Sequence, residues 1–151
     1  MPRDRFSGQA RAPEGPAVGV PGPRAATLPA AAKLGDHQII DARSRPRFRG
    51  DEPEPRPGLR AGHIPGAKNV PVGQLYNPDG TMKPVDQLRA AFEAAGVDLS
   101  RPAITTCGSG ITAASLALAL ERLGKRDWSL YDGAWAEWGS YPDLKIATGD
   151  A

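Results

Sequence analysis

The chain has 151 residues, 40% of them hydrophobic, a single cysteine and a formal net charge of +2. That is enough for one compact domain with a core, and the charge is too low and too mixed in sign to mark a nucleic-acid surface. A lone cysteine excludes an internal disulfide, no Cys/His cluster has metal-ligand spacing, and no apolar run approaches the roughly 18 residues that cross a bilayer; the expectation is a reducing compartment, the cytoplasm, with no metal, no cofactor, no membrane and no nucleic acid.

In chain order, residues 1–29 collect proline, glycine and alanine with almost no aromatic residue. Such a composition buries too little apolar surface to fold, so a disordered tail is predicted over 1–29 and a folded domain over 30–151. AAAKLG, from Ala30 to Gly35, reads as one helical turn, and HQIID, from His37 to Asp41, as a first strand. Arg43 to Gly50 is strongly basic and runs into DEPEPRPGLR, whose prolines 53, 55 and 57 prevent regular structure; the whole stretch reads as a rigid charged loop, either ion-paired within itself or open to an anion. Ala67 to Val70 reads as a second strand, with His63 before it as a structural histidine that holds its loop by ring-nitrogen hydrogen bonds. NPDG, from Asn77 to Gly80, is a turn. Val85, Leu88, Ala91, Phe92 and Ala95 then fall at helical spacing, with Gly96 as the stop.

Ala103 to Ala114, AITTCGSGITAA, is a strand, a tight loop and a helix start. Its cysteine, Cys107, falls at the carboxyl end of the strand, over the first N–H groups of the next helix, where the backbone and the helix dipole both favour a thiolate. Gly108 and Gly110 let the loop curl so that several N–H groups converge on one anionic centre. The helix is predicted over Ile111 to Leu123, with Ile111, Ala114, Leu118 and, one turn on, Leu123 on or near one apolar face and Gly124 ending it. WSLYD, from Trp128 to Asp132, is a last strand, followed by a short aromatic helical turn with Trp135 and Trp138 three apart, as core or lid. Strands alternating with helices predict an α/β domain with a central parallel sheet flanked by helices, and in such sheets ligands sit at the carboxyl ends of strands.

Three chemistries use a strand-end thiolate over a helix N-terminus. A cysteine phosphatase needs a guanidinium about six residues after the cysteine, and Ala113 stands there; disulfide exchange needs a resolving cysteine, and there is none. Sulfur transfer needs one thiolate, a loop that stabilises a persulfide, and a way to bind a donor.

CGSGIT, from Cys107 to Thr112, resembles the active-site loop of the 3-mercaptopyruvate sulfurtransferases of the rhodanese superfamily, whose thiosulfate-using relatives carry basic residues where Gly108 and Ser109 stand. DAR, RFRG and EPEPR between Asp41 and Arg56, GHIPGA around His63, and YDGAWAEW from Tyr131 to Trp138 resemble the carboxy-terminal catalytic domain of those enzymes in the same order, so the likeness covers about Gln38 to Gly149. It implies a single rhodanese-like domain in which Cys107 becomes a persulfide while Ser109 moves protons at the donor thiol. The N–H groups from Gly108 through Gly110 and Ile111 to Thr112 would cradle the sulfur, and Arg47 and Arg56 would bind the donor's carboxylate and carbonyl, with Arg43 and Arg49 structural or solvated. The implied partners are a small-molecule sulfur donor (3-mercaptopyruvate, or thiosulfate), an acceptor that is cyanide, a small thiol or a thioredoxin-like protein, and a second rhodanese-like domain or subunit. The competing expectation is a persulfide carrier or thiol-sensing module with little turnover.

Overall fold

The computed structural model describes residues 37–109 and 111–150; the expected tail, the AAAKLG turn and Gly110 lie outside them. Four strands form one all-parallel sheet in the order β2-β1-β3-β4: β1 (Gln38–Asp41), β2 (Lys68–Asn69), β3 (Ala103–Thr106) and β4 (Trp128–Leu130). Asp41 is in register with Thr106 on one side and Asn69 on the other, so three strands end at one level. Both central strands are buried along their whole length, as parallel strands covered on two faces must be.

The two-residue period of the strands sorts the core into two clusters. Ile40 and Ala103 face α2 (Val85–Ala94) and α3 (Ala113–Arg122), where Leu88, Phe92, Leu116, Leu120 and Cys107 pack. Ile39 and Ile104 face the other way, onto Phe48, Ile64, Tyr131, Trp135 and Trp138. Phe48 comes from α1 (Arg45–Arg49) and the two tryptophans from α4 (Ala134–Trp138), so both are core and neither is a lid.

Three expectations need correction. The basic stretch is a loop only from residue 50 onward: Pro46 stands in the first turn of α1, where its fixed φ suits a helix start and its missing N–H is no loss, and Gly50 at φ 85° ends the helix. The second strand keeps only Lys68 and Asn69 of the four residues predicted. The buried face of the helix after Cys107 is Ala113, Leu116, Ala117 and Leu120, while Ile111 is 77% and Leu118 53% exposed. The helix begins at Ala113, two residues later than the apolar pattern suggested, and its frame is set by the sheet below it.

His63 is structural, as expected. It is fully buried, its ring stacks on Phe48 with centroids 3.8 Å apart, and its Nδ1–H donates to the Phe48 carbonyl at 2.8 Å. Burial holds its pKa below the ordinary histidine value, so near neutral pH the ring is uncharged.

Candidate active site

β1 and β3 end side by side, and the chain leaves both at the same edge of the sheet. From β1 it turns through Ala42, Arg43 and Ser44 into α1; from β3 it enters Cys107, Gly108 and Ser109 on the way to α3. These segments wall a cavity of about 320 Å³ lined by Arg43, Arg47, Glu54, Arg56, Cys107, Gly108, Ser109 and Thr112, among others. A larger cavity of about 670 Å³ opens beside Gln38, Lys68 and Arg101, where the strands begin, and none of the expected site residues among the described ones lines it.

Six of the seven expected site residues with described surroundings therefore line one cavity: Cys107, Gly108, Ser109, Thr112, Arg47 and Arg56. Ile111 does not line the cavity; its side chain turns to solvent. Cys107 itself is 1% exposed, its side chain counted in the apolar cluster beneath α3.

The loop is aimed by α4. The N–H groups of Trp135 and Ala136 donate to the carbonyls of Cys107 and Gly108, at 2.9 and 3.0 Å. A trans peptide points its N–H opposite its C=O, so the Gly108 and Ser109 amides face away from α4, which contributes nothing to the cavity wall. Ala134 makes this approach possible with φ 56°, the only positive φ at a non-glycine residue among the described ones, a conformation costing an L-residue about 1–2 kcal/mol. Gly108 is glycine for a different reason than curling: its φ is not positive, but a methyl there would lie 2.6 Å from Arg47 Nη2. The guanidinium thus rests on the backbone next to the cysteine.

A buried chain of alternating charges holds the arginines. Asp41, at the end of β1, accepts from Arg43 Nε and Nη2. Arg43 also donates to the Gly62 carbonyl at 2.7 Å and lies 4.8 Å from the centre of the Trp135 ring. Its Nη1 donates to Glu54 Oε2 at 3.0 Å, and Glu54 Oε1 accepts from Arg47 Nη2 at 2.7 Å. The Glu54 hydrogen bond raises the Arg47 pKa above its ordinary value, so the group stays a cation. Arg43 is structural, and Arg49 pairs at the surface with Asp51 and Asp150, as expected of both. Arg56 is exposed and makes no hydrogen bond or ion pair among the described residues.

The sequence pointed to neither Glu54 nor Trp135 as part of the site. Glu54 sits among other charges with no spacing that sets it apart, and Trp135 does its work through its backbone N–H and the face of its ring, which no motif reports. The one available signal was an acidic residue between Arg47 and Arg56 in a stretch too rich in proline to be a solvated helix.

The Rhodanese-like domain family matches residues 25–141. The chain belongs to the rhodanese family. Over 109 residues it is 52% identical to the 3-mercaptopyruvate sulfurtransferase of Escherichia coli (strain K12), which covers 72% of this chain and 38% of that protein. Over 110 residues it is 47% identical to the mitochondrial thiosulfate/3-mercaptopyruvate sulfurtransferase 1 of Arabidopsis thaliana, covering 73% of this chain and 29% of that one. The crystal structure of the Tum1 protein from Saccharomyces cerevisiae is 36% identical, with a TM-score of 0.69, over 82% of this chain and 43% of that one. This rhodanese-like chain thus spans about a third of the length of the curated relatives it matches. The parallel sheet flanked by helices is the fold expected from the resemblance, and no helix among the described residues is long and apolar enough to cross a membrane.

Proposed function

We propose that the chain is a sulfurtransferase that moves sulfane sulfur from 3-mercaptopyruvate to a thiol or cyanide acceptor through a persulfide on Cys107. The observation that carries this reading is the shared cavity: one thiol at a strand end, with Arg47 and Arg56 on the same wall beside Arg43, which Asp41, Glu54 and the Gly62 carbonyl already engage. An α-keto acid presents a carboxylate and a carbonyl, and guanidinium forks bind such oxygens with directed, charge-assisted hydrogen bonds. The names of the E. coli and Arabidopsis relatives support this donor class, and thiosulfate is the second donor to be compared.

In the proposed reaction the Cys107 thiolate attacks the donor sulfur. The donor's C–S bond breaks and its electron pair stays on carbon as the enolate of pyruvate, which takes up the proton of the former thiol, leaving pyruvate and an anionic persulfide on Cys107. Ser109, exposed on the cavity wall, is the hydroxyl that passes this proton, and the Gly108 and Ser109 amides stabilise the sulfur anion. An acceptor thiolate then attacks the outer sulfur and Cys107 leaves as thiolate. The acceptor is a small thiol or a thioredoxin-like protein, a second rhodanese-like domain or subunit would face the open side of the cavity, and the one free cysteine suits the reducing cytoplasm.

Incubation with 3-mercaptopyruvate or thiosulfate, following pyruvate and sulfide, tests the reading. The expected result is pyruvate release that is abolished in Cys107→Ser and shows a KM raised about tenfold or more in Arg47→Ala and in Arg56→Ala. Absence of turnover with a single stoichiometric sulfur uptake from a partner persulfide would instead identify a carrier.

A further inference from the structure

We propose that the buried carboxylate of Glu54 divides the work between the two arginines of the Cys107 cavity, holding Arg47 as an oriented, charge-compensated hydrogen-bond fork and leaving Arg56 as the cation that draws an anionic donor in. This rests on the sulfurtransferase reading for its kinetic consequences, but its first consequence, on the thiol, needs no donor at all.

The Glu54 side chain is 1% exposed. Oε2 accepts from Arg43 Nη1 at 3.0 Å and from Arg47 Nε at 3.3 Å, and Oε1 from Arg47 Nη2 at 2.7 Å. Arg43 cannot follow a movement of Glu54, because Asp41, the Gly62 carbonyl and the Trp135 ring hold it from the other sides. Glu54 is thus fixed by one arginine and fixes the other. Two N–H bonds of Arg47 are spent on Glu54; Nη1 and the second Nη2 hydrogen remain, and Nη2 lies against Gly108 beside the nucleophile.

The charges decide the second half. Asp41, Arg43, Glu54 and Arg47 alternate in sign and sum to zero, so Arg47 contributes direction but little net potential at the cavity mouth. Arg56 meets no carboxylate among the described residues and supplies the uncompensated charge, which governs encounter with an anion and its salt dependence. These are also the charged groups around the thiol: Arg43, Arg47, Glu54 and Arg56 on the cavity wall, with Asp41 behind Arg43, while the first turn of α3 carries no acidic residue.

Two variants separate charge from reach. Glu54→Gln removes the charge, so the pH at which iodoacetamide alkylates Cys107 at half its maximal rate falls by about half a unit or more, a nearby anion having been lost. Glu54→Asp keeps the charge and leaves that midpoint in place, but its shorter side chain cannot reach both arginines, so KM for 3-mercaptopyruvate rises about tenfold in both variants. A folded Glu54→Gln protein with an unmoved alkylation midpoint overturns the proposal, because a purely structural role does not touch the thiol's titration. Should Glu54→Gln fail to fold, the salt dependence of alkylation by the anion iodoacetate decides: Arg56→Gln should abolish most of it and the double variant Arg47→Gln/Glu54→Gln, which removes a neutral pair, should not, and equal effects of the two overturn the proposal. If no donor is turned over while the alkylation results hold, the sulfurtransferase reading fails and the electrostatic assignment stands.

Discussion

Gly108 shows how closely the cavity is built around one guanidinium. Its backbone would accept any residue, so the substitution Gly108→Ala tests space alone. The added methyl would lie 2.6 Å from Arg47 Nη2, and a long side chain usually yields to such an intrusion by swinging away. Arg47 is not free to swing, since Glu54 grips it through Nε and Nη2. The displacement must therefore appear where Arg47 is used. Gly108→Ala should lower kcat/KM for 3-mercaptopyruvate about tenfold to a hundredfold, through KM, with urea-unfolding stability changed by no more than about 1 kcal/mol. An unchanged KM in steady-state kinetics would show that Arg47 does not hold the donor. The identity of Gly108 was legible in the sequence, but its reason was not: a glycine after a cysteine reads as a turn residue, and only the folded chain brings a side chain from 61 positions earlier against it.

Among the elements, the helix after Cys107 separates what pattern conveys from what packing decides. Its apolar residues go nearly all round, ITAASLALALERL, so several 3.6-residue faces fit the letters about equally. The sheet selects the face carrying Leu116 and Leu120, both fully buried, and leaves Leu118 more than half exposed. The two leucines therefore give a direct contrast. Leu116→Ala should cost about 2–5 kcal/mol in urea unfolding, for lost burial and the cavity left behind, whereas Leu118→Ala should stay within about 0.5 kcal/mol. Comparable losses at both positions would restore the face that the apolar pattern first suggested. α1 was missed for the opposite reason. RPRFR has one apolar residue, Phe48, and a proline, so neither periodicity nor propensity marks it; its five residues form a helix because Phe48 drops into the core beside Tyr131 and Trp135 while Gly50 closes the turn. The two central strands, by contrast, were legible from short β-prone runs, because parallel strands buried on both faces leave little room for other residue types, whereas at the sheet edge β2 keeps only Lys68 and Asn69.

At the scale of the molecule, the cavity is a seam between the two halves of the core. Cys107 belongs to the cluster under α2 and α3, while Arg47 rides on α1, anchored through Phe48 in the cluster on the other face. Neither half can hold the thiol and the guanidinium together. Both clusters rest on the same four strands, with Ile39 and Ile104 serving one face and Ile40 and Ala103 the other, so melting either face removes the support of its opposite. Unfolding should then be a single transition. The three tryptophans allow this to be seen face by face: Trp128 packs against the first cluster, and Trp135 and Trp138 lie in the second. In a urea titration of the double variant Trp135→Phe/Trp138→Phe, the remaining Trp128 fluorescence should change at the same midpoint as backbone circular dichroism, and that midpoint should match the urea concentration at which Cys107 loses its protection from alkylation. In the otherwise unaltered chain, Trp128→Phe should give the same coincidence from the other side. Cys107 exposed before either fluorescence change would mean that the loop opens on its own and that the seam is not what holds it; two separated fluorescence midpoints would mean that the faces melt independently. Coincidence of all three ties the integrity of the cavity to the whole sheet, which is the consequence of drawing the Cys107 thiol from one face of the core and the Arg47 guanidinium from the other.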